Sequence, residues 1–277
     1  MKAEKNRVGT KAQIKAEKEG ERRIATGVFL ALIMVLVGFS VYFAYILANQ
    51  SVPSVQTAGP ASSQPKAAIV DHLSLTFPNQ TFIQAATNLL EQAGYAVDYY
   101  AGAQVTVDFY RNLPSHGYRL IVLRVHSALG EKGAPPLCLF TGESYSQYKY
   151  VSEQLNDQVV RVHYMGGSNE QLYFGITPSF INSCTSGSLQ NCTVVLMGCN
   201  GLTYTDMANA FVTKGARACI GWDGPVTAGY IDPATACLLK HLVIDKEAIG
   251  QAVEDTMGQV GPDPVYYSIM TYCAVGD

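Results

Sequence analysis

From residue 66 onward, short unbroken apolar runs alternate with segments whose apolar positions recur every three or four residues. Unbroken runs are what strands look like when both faces are covered, and the longer period is that of the helices that cover them. Residues 66–71 (KAAIVD) form the first run, and residues 81–94 place Phe82, Ala85, Ala86, Leu89, Leu90 and Ala93 on one helical face before Gly94 ends it. Strand-like stretches follow at 95–100, 118–127, 137–141, 159–164, 193–199, 216–222 and 265–272. Helix-like stretches fall at 106–113, 147–155, 205–214, 233–243 and 246–257, while residues 171–193 fit neither period. Asp232, directly before Pro233, reads as a helix cap. The alternation predicts an α/β domain over residues 66–277, with a mostly parallel central sheet and helices on both faces.

The N-terminal quarter has a different pattern. Residues 24–48 contain no ionisable acid or base, and at about 1.5 Å per residue they cross a hydrocarbon core of about 30 Å. Residues 1–23 carry eight Lys or Arg against four Glu, which by the positive-inside rule holds this tail in the cytoplasm. One transmembrane helix, with everything after it extracytoplasmic in the cell membrane, is therefore expected. An apolar stretch of this length is longer than the core of a cleaved signal peptide. Residues 49–65 (NQSVPSVQTAGPASSQP) lack periodicity and aromatic residues and read as a flexible linker.

Composition narrows the function. A formal net charge of -3 gives no case for nucleic-acid binding. Seven cysteines, an odd number in an exterior domain, leave at least one thiol unpaired. Cys184 and Cys192 flank a loop of Thr, Ser, Gly and Asn and are the expected disulfide pair. No Cys-x-x-Cys occurs, which argues against a thiol oxidoreductase. The triplets at Asn79 and Asn191 match the glycosylation pattern.

Candidate chemistry gathers at predicted carboxyl ends of strands, where reactive groups collect in sheets of this kind. The run 118–127 closes on His126, and the run from Thr193 closes on Gly198-Cys199-Asn200-Gly201 just ahead of a helix. Asp71 and the pair Trp222-Asp223 end two further strands, and His72 also follows an apolar run. A thiol and an imidazole meeting in one crevice form a dyad for nucleophilic catalysis.

These residues resemble the caspase-like cysteine peptidases, the group that includes caspases, gingipains, separase and CHAT domains. The likeness runs from about residue 66 to 245. Gly198-Cys199-Asn200-Gly201 is similar to the family's Ala-Cys-x-Gly turn, and residues 207–222 (MANAFVTKGARACIGW) resemble the CHAT pattern that closes on Gly-Trp. Two positions depart from it: Ser127 follows the histidine where the family has glycine, and Gly198 precedes the cysteine where it prefers alanine.

The resemblance implies a caspase-like three-layer sandwich and a peptidase acting on protein or peptide substrates without metal or cofactor. Cys199 would be the nucleophile, favoured as thiolate by the following helix and a nearby imidazolium, and His126 the general acid/base. The backbone amides of Ser127 and Cys199 would form the oxyanion hole. By the same resemblance Asp71, Trp222 and Asp223 would line the pocket for the side chain before the cut bond, two acids favouring Arg or Lys. The competing expectation is a catalytically idle module of the same fold that binds or senses at the cell surface.

Overall fold

The computed structural model describes residues 64–275, except 131–132, 135 and 165–170. The basic tail 1–23, the expected span 24–48 and all but the last two residues of the linker 49–65 lie outside the described residues. Among those described, no helix is long and apolar enough to cross a membrane.

The chain runs β1 (Lys66–Asp71), α1 (Gln80–Gln92), β2 (Ala96–Ala101), α2 (Val107–Asn112), β3 (Tyr118–Arg124), β4 (Ser127–Ala128), β5 (Cys138–Ser144), α3 (Val151–Leu155), β6 (Val159–His163), β7 (Leu172–Ile176), α4 (Pro178–Cys184), β8 (Thr193–Leu196), α5 (Asp206–Thr213), β9 (Ala218–Trp222), α6 (Ala228–Leu239), α7 (Ile249–Val260) and β10 (Met270–Ala274). A six-stranded sheet has the order β10-β9-β8-β3-β1-β2, parallel except for β10, which runs antiparallel to β9. A second, antiparallel sheet has the order β4-β5-β7-β6.

Strand alternation explains why the central runs are apolar throughout. On one face Ala67, Ile69, Leu120, Val122, Val195 and Ile220 pack against α1, α6 and α7. On the other, Ala68, Val70, Ile121, Leu123 and Val194 pack against α2, α4 and α5. Asn79 caps α1 by accepting the Phe82 amide, and Gly94 turns the chain back at φ +89°, a left-handed conformation that suits glycine.

Three expectations are corrected. The Cys184–Cys192 disulfide is not formed, and both thiols are free. Cys184 ends α4 and donates to Gln158 Oε1, whereas Cys192 is sealed in the core ahead of β8. Asp232 is no cap: α6 starts earlier, at Ala228, with Pro233 inside it, and Asp232 is buried within the helix. The last strand is shifted, because Asp263 Oδ1 accepts the Val265 and Tyr266 amides and Tyr267 takes φ +60°, so 263–268 is a turn and β10 starts only at Met270. Residues 171–193, which fitted neither period, hold β7 and α4.

Candidate active site

The chain leaves β1 for β2 on one side and returns to β3 on the other, so the crevice of this sheet opens beyond the carboxyl ends of β1 and β3. β3 does not stop there. It runs on through Val125 and His126 into β4, so His126 sits at the joint between the two sheets. The Phe140 amide donates to the His126 carbonyl at 2.9 Å and fixes that joint.

The His126 ring is walled by Phe77, Phe140 and Tyr164, with centroids 6.0, 5.9 and 5.0 Å away. Its Nε2 lies 2.8 Å from Thr76 Oγ1. His72 meets it edge-on at 5.8 Å and is itself hydrogen-bonded through Nε2 to the Tyr164 hydroxyl at 2.8 Å. Burial, and then the charge of Arg124, lowers the His126 pKa to about 4. Burial, and then His126, lowers that of His72 to about 3. Both rings are therefore neutral at pH 7, which replaces the expected imidazolium with an uncharged imidazole.

Cys199 follows β8, the strand beside β3. The Met197 amide donates to the Leu123 carbonyl at 2.8 Å and carries the pairing of these strands past the end of β8. The chain then turns: Asn200 adopts φ +60° and its amide donates to the Gly224 carbonyl. Cys199 Sγ lies 3.6 Å from the Val226 carbonyl oxygen, and the Cys199 carbonyl accepts Ser127 Oγ at 2.6 Å.

Ser127 and Gly198 form one arrangement. A Cβ added at Gly198 would lie 2.3 Å from Ser127 Oγ and 2.8 Å from the Val125 carbonyl oxygen. The serine side chain thus occupies the space an alanine at 198 would need, and ties the strand carrying the histidine to the turn carrying the cysteine.

Strand alternation also orients the Ser127 amide. The Phe140-to-His126 bond makes these two residues a hydrogen-bonded pair, so Ser127, one residue on and opposite Leu139, belongs to the other class. Its N–H points away from β5.

His126 and Cys199 line the same two pockets. One, of about 300 Å³, runs past Leu73, Phe77, Met197, Val226 and Ile231. The other, of about 760 Å³, runs past Thr76, Ser127, Leu129, Tyr164, Asn200 and Pro225.

The three expected specificity residues are placed elsewhere. Asp71 stands opposite Arg124 in the β1–β3 register, and the guanidinium binds Asp71 Oδ1 at 2.8 Å and both Asp232 oxygens at 2.7 Å. All three side chains are at most 4% exposed, and neither pocket is lined by Asp71. Trp222 is buried in the core beside Tyr230. Asp223 accepts the Ile269 amide and lines neither pocket. The Asn79 amide nitrogen of the first glycosylation triplet donates to Asp232 Oδ2.

Thr76, Tyr164 and Val226 were not singled out from the sequence, since each takes its place through long-range packing. Arg124 did carry a signal: a charge inside the apolar run LIVLRV demands buried carboxylates. Among the described residues, His241, Asp245 and Glu247 come together as metal-ligating side chains do, but Lys240 Nζ already supplies a cation to Asp245 at 2.6 Å.

No protein-family model matches this chain, and no curated protein matches it.

Proposed function

We propose that the protein is a caspase-like cysteine endopeptidase, anchored in the cell membrane by residues 24–48, with its catalytic domain outside the cytoplasm. The observation that carries this reading is that His126 and Cys199 leave the carboxyl ends of neighbouring parallel strands and line the same pockets.

The chemistry needs no metal or organic cofactor. With Thr76 on Nε2, Nδ1 is the ring nitrogen left for proton transfer. Cys199 Sγ attacks the peptide carbonyl as its proton passes to neutral His126, and the Ser127 and Cys199 amides receive the oxyanion. The imidazolium so formed is a strong acid, because burial and Arg124 destabilise it, and it protonates the leaving amine. Water then attacks the thioester, gives its proton to His126, and releases the acid and the free thiol.

A peptide acyloxymethyl ketone tests the reading. The full chain, purified in mild detergent, is expected to be alkylated at Cys199 and the Cys199→Ala variant not at all. Labelling that persists in the variant, or never occurs with any side chain on the probe, refutes it.

A second reading, an idle module that binds at the cell surface, is favoured by the neighbours of the His126 ring. Its ring is enclosed by aromatic neighbours and its Nε2 is held by Thr76.

A further inference from the structure

We infer that the pocket of about 300 Å³ beside Cys199 takes one large apolar side chain of a peptide, aromatic or long aliphatic, and not a basic or acidic one. The inference deepens the peptidase reading and rests on it for what the bound peptide undergoes. Leu73 and Phe77 form one wall, from the segment after β1, and Met197 lies two residues before the nucleophile. Val226, before α6, and Ile231, within it, line the pocket as well. Among the described residues, no Asp, Glu, Lys or Arg lines the cavity. A volume at the low end of ligand pockets suits a single side chain.

The carboxylates at these strand ends are committed elsewhere. Asp71 and Asp232 hold Arg124, with side chains 2% and 4% exposed. A lysine or arginine side chain entering here would lose its water without gaining a counter-charge, whereas Phe or Leu gains by leaving water.

The wall is also built to keep its shape. Asp263 accepts the Thr227 amide and hydroxyl as well as the Val265 and Tyr266 amides, joining the loop before α6 to the turn before β10. Tyr266, on that turn, also lines the pocket.

The test separates binding from chemistry. Isothermal titration of the full-length Cys199→Ala chain uses acetylated tetrapeptide amides that differ only in one residue, Phe, Leu, Arg or Asp. Phe and Leu are expected to bind at least about tenfold tighter than Arg and Asp, the discrimination an apolar pocket gives. Equal binding, tighter binding of Arg or Asp, or no binding of any peptide overturns the proposal.

Ala228→Asp supplies a variant that folds readily, since Ala228 lines the pocket at the first residue of α6, where a carboxylate suits the helix dipole. In the Cys199→Ala background it is expected to make the Arg peptide the tighter ligand, and an unchanged order overturns the proposal. Wild-type labelling by Phe and Arg ketones then judges the peptidase reading separately. If apolar peptides bind but no ketone alkylates Cys199, the pocket stands and the peptidase reading falls.

Discussion

Two polar groups are built side by side at the carboxyl ends of β1 and β3, and they differ in how completely their partners use them. Arg124, Asp71 and Asp232 form a closed set: the guanidinium spans both carboxylates, Tyr99 binds the remaining oxygen of Asp71, Asn79 adds a second bond to Asp232 Oδ2, and almost nothing reaches solvent. Two residues beyond Arg124 on the same chain, the His126 ring is hydrogen-bonded to Thr76 through Nε2 and faces two open pockets. Full charges here serve architecture, tying β1, β3 and α6 together, while the neutral His126 is left facing the pockets. The lesson is that charge at a strand end is poor evidence for a site. A buried ion must be paired, and pairing removes it from the reach of a ligand.

The largest expected effect belongs to the open group. Cys199→Ala should lower hydrolysis of a peptide substrate by about four orders of magnitude or more, the scale seen when a nucleophile is removed, with urea unfolding little changed. Arg124→Met should do the reverse. It leaves two carboxylates facing each other in the core, and breaking a buried ion pair from one side costs about 3–5 kcal/mol. Urea unfolding reads this directly, and adding Asp71→Asn and Asp232→Asn should recover part of the loss. If Arg124→Met costs under about 1 kcal/mol, the contrast between an architectural and a chemical group collapses.

Within the open group, the contact that joins the strand of His126 to the turn of Cys199 is Ser127 against Gly198. Gly198→Ala drives a methyl into Ser127 Oγ and should cost about 1–3 kcal/mol as overpacking. Ser127→Gly with Gly198→Ala should regain most of it. The regain stops short of complete, because the Val125 carbonyl oxygen also crowds that position. Additive costs in the double variant would refute the exchange of side chain between the two positions.

The sequence carried the parts of this picture that depend on local pattern. β1, β3, β8 and β9 are unbroken apolar runs, and their ends bring His126 and Cys199 to one place because adjacent parallel strands end together. What depended on partners distant in the chain was not legible. Asp71 and Asp232 are 161 positions apart and acquire their roles only through Arg124. Residues 265–269 have strand-like composition, yet Asp263 draws their amides into a turn. Pro233 read as a helix start and instead stands inside α6, with its neighbour Asp232 turned to the core.

The smallest expected effect is a rate that hardly changes. An ordinary histidine titrates near pH 6.5, so a peptidase depending on its neutral form loses about tenfold in kcat/KM at pH 5.5. Burial and Arg124 lower the pKa of His126 to about 4, so its neutral form persists at pH 5.5 and kcat/KM should fall there by less than about 1.5-fold. Stability behaves differently. In the unfolded chain His72 and His126 take up protons near 6.5, in the folded one near 3 and near 4, so between these values the unfolded state binds more protons. Stability is then full above about pH 6.5 and declines as the pH falls toward 4, with His72 extending the decline toward 3. Asp263 adds to the loss at the acid end: burial opposes its ionisation, but the amides of Thr227, Tyr266 and Val265 outweigh that and hold its carboxyl below the usual range. Urea unfolding at pH 7 and 5.5, set beside kcat/KM at the same two values, separates the curves. A rate that falls tenfold while stability holds would mean that His126 titrates as an exposed ring does, and the enclosure drawn around it would be wrong.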